Sequence, residues 1–385
     1  MTLAGLLGSV AFTLSGCGAG GGDSGADPGR SSSYTGGAVS LSGMKAELER
    51  YSGSVETLPS VAPVGNVSAM KGKTVWWVPL GTQVDASFGP TIKQALGKLG
   101  LDVHTCDGKF LPTTVASCLQ QAGSQGADAV ITGYVDYKSV PTAFDQLASQ
   151  GIPVLLAGAV NNSGKKQSAT FAFADTGDIA ELGARLQLES AIVGSGGKGH
   201  LLWVGFTDSA QLAAVTDYAK TFVEKSCPGC TFDEISTTSA AMNKLSSQAG
   251  AALASHPNID YVVVQIDPGV PSVVRAVQAA GKESKVKVVG SGALPDTMLT
   301  LQKGHSPLAA ISGVSLSYEA WAFASSLAQM LGDTVPPAQV QTLHRVFTPE
   351  NTKDLTVTPA EFGTVDWYAD QAAVVASFTG AWGVS

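Results

Sequence analysis

Clusters of basic residues are missing from this chain. Its 23 Lys and Arg are scattered among 31 Asp and Glu, for a net charge of −8. Such a balance leaves no electrostatic footprint for a nucleic acid. Histidine is scarce too: His104, His200, His256, His305 and His344 lie far apart, and none has a second His or Cys at ligand spacing on one helix, so no metal site is expected. Apart from residues 3–14, no apolar run approaches the roughly 20 residues that cross a bilayer. Neither paired carboxylates nor a nucleophile with its base stand out, which argues against an enzyme. No cofactor is expected either. Gly194-Ser195-Gly196-Gly197-Lys198-Gly199 has the composition of a phosphate loop, but it follows a helical pattern and precedes a strand, the reverse of what phosphate cradling needs. Gly22-Asp23-Ser24-Gly25 imitates a serine-protease nucleophile in a stretch that supplies no base and no oxyanion hole.

What is present begins at the N-terminus. A short apolar run ends in Leu14-Ser15-Gly16-Cys17, which reads as a bacterial lipobox. Residues 1–16 are then a signal peptide and Cys17 the lipidated first residue, placing the protein outside the cytoplasm on a lipid anchor. Met1-Thr2 lacks the basic residues that open such a signal, so the true start is expected upstream. The alternative is a stray apolar terminus with a free thiol at Cys17. Lipidation leaves four cysteines, an even number. In an oxidising compartment they pair as Cys106 with Cys118 and Cys227 with Cys230. Cys227-Pro228-Gly229-Cys230 resembles a redox pair, but it follows a helical stretch where thiolate activation needs a helix N-terminus. Residues 17–42, rich in Gly and Ser, are a tether with a reach of roughly 25–30 Å.

With 385 residues and 44% hydrophobic content, two cores are a better expectation than one. From Lys71 onward, apolar β-branched runs such as Thr74–Pro79, Ala129–Thr132, His200–Val204 and Val286–Gly290 alternate with helical patterns such as Phe88–Leu99, Pro112–Gln125 and Asp178–Val193. Strand then helix, repeated about ten times, predicts an α/β fold with two doubly wound parallel-sheet lobes. Ligands of such sheets bind beyond the carboxyl ends of the strands, so a site is expected in the cleft between the lobes.

Here the chain resembles the type I periplasmic solute-binding proteins, in the ribose-binding-like branch that serves sugar ABC importers. The likeness lies in Lys73-Thr74-Val75-Trp76-Trp77-Val78-Pro79, Gly126-Ala127-Asp128-Ala129-Val130-Ile131, Gly151-Ile152-Pro153-Val154, Asp175 with Gly183-Ala184, Gln265-Ile266-Asp267-Pro268 and Ala276-Val277-Gln278-Ala279-Ala280-Gly281. It implies lobes joined by a three-stranded hinge, with crossings near Phe173–Thr176, Ala310–Gly313 and Thr342–Phe347. The first lobe is expected over 43–174 plus 311–343 and the second over 175–310 plus 344–385. The resemblance also implies capture of a small solute and its delivery to an ABC permease by a monomer; a sensor docking on a membrane kinase is the alternative. A two-lobed repressor is excluded, because signal and tether occupy the place of its DNA-binding helices.

Several polar positions of sugar binders in this family are changed. The usual Asp-Arg pair is Gly158-Ala159, an Asn-Asp pair is Ile266-Asp267, an Asp is replaced at Ser291-Gly292, a Gln at Gly313 or Val314, and an Arg at Ser209 and Gln211. Those losses leave an apolar or aromatic solute as an alternative to a sugar or polyol. Phe88, Tyr134, Tyr137 and Phe206 are candidate rim aromatics. Gln83, Asp85, Asp136, Thr207, Asp208, Gln265, Asp267 and Ser291 are candidate polar contacts, with Gly158 and Gly292 beside them. Asp267 competes for a second role, capping the helix after Pro268. The tail from Glu350 is expected to pack on the second lobe.

Overall fold

The computed structural model describes residues 37–358 and 367–384, so Cys17, the signal and most of the tether lie outside the described residues. Helix α1 (Leu41–Arg50) precedes the first sheet. That sheet is built from β1 (Thr74–Pro79), β2 (Asp102–Thr105), β3 (Ala129–Gly133), β4 (Val154–Ala157) and β5 (Phe171–Ala174), linked by α2 (Gln83–Lys98), α3 (Pro112–Ser124) and α4 (Pro141–Ser149). Its order is β2-β1-β3-β4-β5 and every pairing is parallel. Helices on both faces explain the near-continuous apolar strands: Val75, Trp77 and Val78 are fully buried.

The second lobe opens with α5 (Gly177–Gly194), then alternates β6 (His200–Phe206), α6 (Ala210–Ser226), β7 (Thr231–Thr237), α7 (Leu245–Ser255), β8 (Tyr261–Val264), α8 (Val270–Ala279), β9 (Lys287–Ser291), α9 (Pro295–Lys303) and β10 (Leu308–Val314). Helix α10 (Leu316–Leu331) returns to the first lobe, where Phe323 stacks on Phe88 of α2. Strand β11 (His344–Phe347) pairs antiparallel with β10 at the edge of the sheet β11-β10-β9-β8-β6-β7. Helix α11 (Gln371–Trp382) closes the described chain. Disulfides join Cys106 to Cys118 and Cys227 to Cys230. The second pair follows α6 and closes a turn into β7, a stapling position.

The hinge differs from the expected three crossings. Three are present: Asp175, whose amide donates to Ala338; Ser315, whose amide donates to Leu343; and the stretch from 332 to 343. Strand β10 stays in the second sheet as far as Val314, so the middle crossing falls at Ser315 rather than at Ala310–Gly313. Two further crossings come from the ends of the described chain. Helix α1 docks on α5 of the second lobe through a Glu47–Arg185 ion pair of 2.6 Å, although residues 43–70 were expected in the first. The chain then pairs Tyr51 with Val346 and Val55 with Tyr368, and enters the first-lobe core at Val64 and Met70. At the other end, residues 348–358 hold α9 through Gln302, which donates to the carbonyls of Thr352 and Leu355. Helix α11, however, packs on α10 of the first lobe, not on the second as expected. Trp382 and Phe378 pack at a tilt against Trp321, and the Trp382 indole donates to Ser325. An aromatic cluster of this size fits only where a facing helix offers an equal apolar surface, and α10 is buried on nearly all sides.

Candidate ligand-binding cleft

Between the two sheets lies a cavity of about 720 Å³, within the usual range for small-molecule sites. The first lobe contributes Leu80, Thr82, Val84, Tyr134, Leu316 and Glu319 to its wall. The second contributes Ile179, Gln187, Leu212, Met242, Gln265 and Leu294. The hinge supplies Thr176, Ser312, Val314 and His344.

Of the residues expected from sequence, Tyr134, Asp136, Gly158, Asp208, Gln265, Asp267, Ser291 and Gly292 line this cavity. Most of their polar atoms are already engaged. Asp208 accepts from the backbone and hydroxyl of Ser239, 2.9 and 3.1 Å away. Gln265 accepts from the Phe206 amide and donates to Leu212, tying β6 and β8 to α6. Ser291 donates to the carbonyl of Gln265. Asp267 does cap a helix, but not the one that follows it: its carboxylate accepts from the Leu294 amide and the Thr297 hydroxyl at the start of α9.

The remaining expected residues lie elsewhere. Asp85 is the third helical residue of α2 and completes a reciprocal cap, accepting from Gly81 and from the Thr82 hydroxyl while Thr82 accepts from its amide. Thr82, not Asp85, therefore reaches the cleft. Phe88 is buried under Phe323, Phe206 lies in the second-lobe core, and Tyr137 stacks on Phe144 with its hydroxyl donating to Asp145. Thr207 donates to the Thr237 carbonyl. Gln83 opens α2, and its side chain lies outside the described ones.

Gly158, the first residue of the pair expected from the resemblance as Asp-Arg, has no room for a side chain. Its φ is +70°, and a Cβ there would sit 2.8 Å from the Tyr134 ring. The ring occupies the space into which a side chain at 158 would project. Gly292 makes the same room for Asp267, whose Cβ is 2.9 Å from the position a Gly292 Cβ would take.

Glu319, which the sequence did not single out, is a buried acid in the wall. It is 1% exposed, and the Tyr134 hydroxyl donates to it at 2.7 Å. Burial pushes its carboxyl up to about 7, and it pushes Asp267 likewise up to about 7 against the hydrogen bonds from Thr297 and Leu294. Burial acts oppositely on His344, holding it down to about 4 and hence neutral. A signal for Glu319 existed: α10 has no polar face, so an acid in its first turn had to be buried.

These shifts fix a pH dependence. A folded carboxyl near 7 binds a proton that the unfolded chain releases near 4.5, so its contribution to stability is lost as pH rises through that window. For Glu319 the loss between pH 5 and 8 is on the order of 2 kcal/mol. Unliganded Glu319→Gln is therefore expected to lose less stability than the parent over that range in urea titrations. Parallel curves would contradict the assignment.

Two doubly wound lobes facing each other across a walled cavity define the type I binding-protein fold. A model for the periplasmic binding protein domain matches residues 42–334, and the chain belongs to this family of binding proteins. Among solved structures, a solute-binding protein from Burkholderia graminis in complex with D-arabinose is 19% identical with a TM-score of 0.64, covering 74% of this chain and 99% of that one. The 5-methylthioribose transporter solute-binding protein from Thermotoga lettingae is 15% identical with a TM-score of 0.63, over 82% and 95% of the two chains. An ABC transporter solute-binding protein from Bacillus halodurans with bound myo-inositol is 18% identical with a TM-score of 0.61, over 74% and 97%. At such identities the likeness is one of fold. No curated protein matches the sequence.

Proposed function

We propose that this protein is an extracytoplasmic, lipid-anchored monomer that captures a small sugar- or polyol-like solute in its interlobe cavity and delivers it to an ABC importer. The observation that carries this is the cavity itself, walled by both lobes and the hinge, so that a bound solute holds the lobes together. The ligands of the three structural neighbours support the sugar or polyol class. The apolar stretches of wall, from Leu80, Val84, Ile179 and Leu212, favour a second reading in which part of the solute is apolar or aromatic.

A thermal-shift screen of the full-length protein against sugars, polyols, nucleosides, aromatic acids and steroids tests the capture. A ligand at about 100 times its Kd adds about 2.7 kcal/mol, a rise of several degrees in Tm. A screen in which nothing shifts Tm overturns the reading. The anchor is tested separately: Cys17→Ala is expected to release the protein from membranes, and continued membrane association argues against the lipobox.

A further inference from the structure

We infer that the solute bears a protonated amine, and that Glu319 in the wall of the cleft is the residue that selects it. This rests on the capture reading above and narrows its solute class to amino- or imino-substituted relatives of sugars and polyols.

The first observation is the charge of the wall. Among the described residues lining the cavity there are four acids, Asp136, Asp208, Asp267 and Glu319, and no Lys or Arg. A sugar acid or phosphorylated solute would be desolvated among carboxylates with no cation to meet it. Three of the acids are committed. Asp208 holds Ser239, Asp267 holds α9, and Asp136 is turned toward the Ala210 amide at the start of α6. Glu319 accepts one hydrogen bond, from Tyr134, and a carboxylate has room for several.

The second observation is independent. Ser312 Oγ and His344 Nδ1 line the same cavity, are buried, and have no hydrogen-bond partner within the protein. Unpaired buried polar atoms are costly and rare, and their position at the hinge end of the cavity marks where solute hydroxyls are received. Neither adds positive charge, since His344 is neutral.

The chemistry then separates an amine from a hydroxyl. A hydroxyl would donate to Glu319 as a neutral partner. An ammonium makes a charge-assisted bond about twice as strong, and turns an acid that burial keeps protonated into one half of an ion pair. The group facing Glu319 is Tyr134, just past the end of β3, and the charge nearest to Tyr134 besides Glu319 is Asp85 on α2, so no cation competes for this carboxyl.

The test uses two matched triplets and one matched pair on the full-length protein at pH 6.5: glucose, glucosamine and glucuronate; sorbitol, N-methylglucamine and gluconate; and the imino sugar 1-deoxynojirimycin beside its neutral carbocyclic counterpart. Titration calorimetry is expected to show an amine binding at least tenfold tighter than its neutral and acidic partners. Run in buffers of different ionisation enthalpy, it should also show a proton released on binding. Glu319→Gln keeps an acceptor for Tyr134, and in it the preference for the amine should shrink to within threefold. A neutral or acidic partner binding as tightly as the amine overturns the amine inference while leaving solute capture intact. An unaltered preference in Glu319→Gln overturns the role of Glu319. Absence of binding by every amine also overturns the inference, and only if the broad screen is empty too does the capture reading fall with it.

Discussion

Trp382→Ala is expected to lower the unfolding free energy by about 3–5 kcal/mol, the usual range for truncating a fully buried tryptophan. Trp382 lies three residues from the end of the chain, where most side chains contribute little. Here its ring is 2% exposed, 5.4 Å from Trp321 and 5.9 Å from Phe378, and its indole donates to Ser325 at 3.1 Å. Removing it leaves a cavity against α10, the helix whose other face covers Phe88 and the cleft wall. The loss should therefore appear in urea denaturation and also as weaker binding of any solute found in the screen. A change below about 1 kcal/mol would mean that α11 does not dock on α10. The same packing carries one of the two additional hinge crossings. Together with the pairing of Val55 to Tyr368, it ties both ends of the described chain across the lobes, so this hinge should open less freely than one with three strands.

Gly158→Asp, which puts back the carboxylate of the family's sugar binders, should abolish binding rather than improve it. Two costs add. An L-residue at φ +70° is strained by roughly 1–2 kcal/mol. Its Cβ would also approach three ring carbons of Tyr134 to 2.8–2.9 Å, an overpacking that typically costs about 1–3 kcal/mol. The ring would have to swing, breaking its hydrogen bond to Glu319. Combining Gly158→Asp with Tyr134→Ala removes the clash and leaves the strain, so the double variant should be less destabilised than the sum of the two singles by more than 1 kcal/mol. Additive effects in denaturant unfolding would show that ring and glycine do not share this space.

The alternating pattern made the central parallel strands of both sheets legible, because strands buried on both faces must be continuously apolar, whereas the edge strands β2 and β7 are largely exposed. Strand β11 was harder. His344-Arg345-Val346-Phe347 is short and half polar, and its packing partners include Tyr51, Trp367 and Tyr368, residues remote in sequence or beyond the next loop. The docking of α1 and α11 was illegible for the same reason: a short helix with one apolar face does not say which lobe receives it. At the site, the strand ends were located but the direction of single side chains was not. Strand β6 ends at Phe206, which is buried in the core, and Asp208 reaches the cleft only because the chain has left the strand before it. Polar residues at strand ends also looked available when many were not, since Asp85, Gln265 and Asp267 spend their hydrogen bonds holding helices and strands. Glu319 and His344 entered the site from α10 and β11, elements whose positions depend on the hinge.

The central claim is that a solute sits between the lobes, and a crystal structure of the protein with the best ligand from the thermal screen tests it most directly. The account predicts the ligand in the cavity with Tyr134 and Glu319 on one side and Ile179, Gln187 and Leu212 on the other. Ligand bound outside that cavity, with the space between the sheets left as it is, would contradict it.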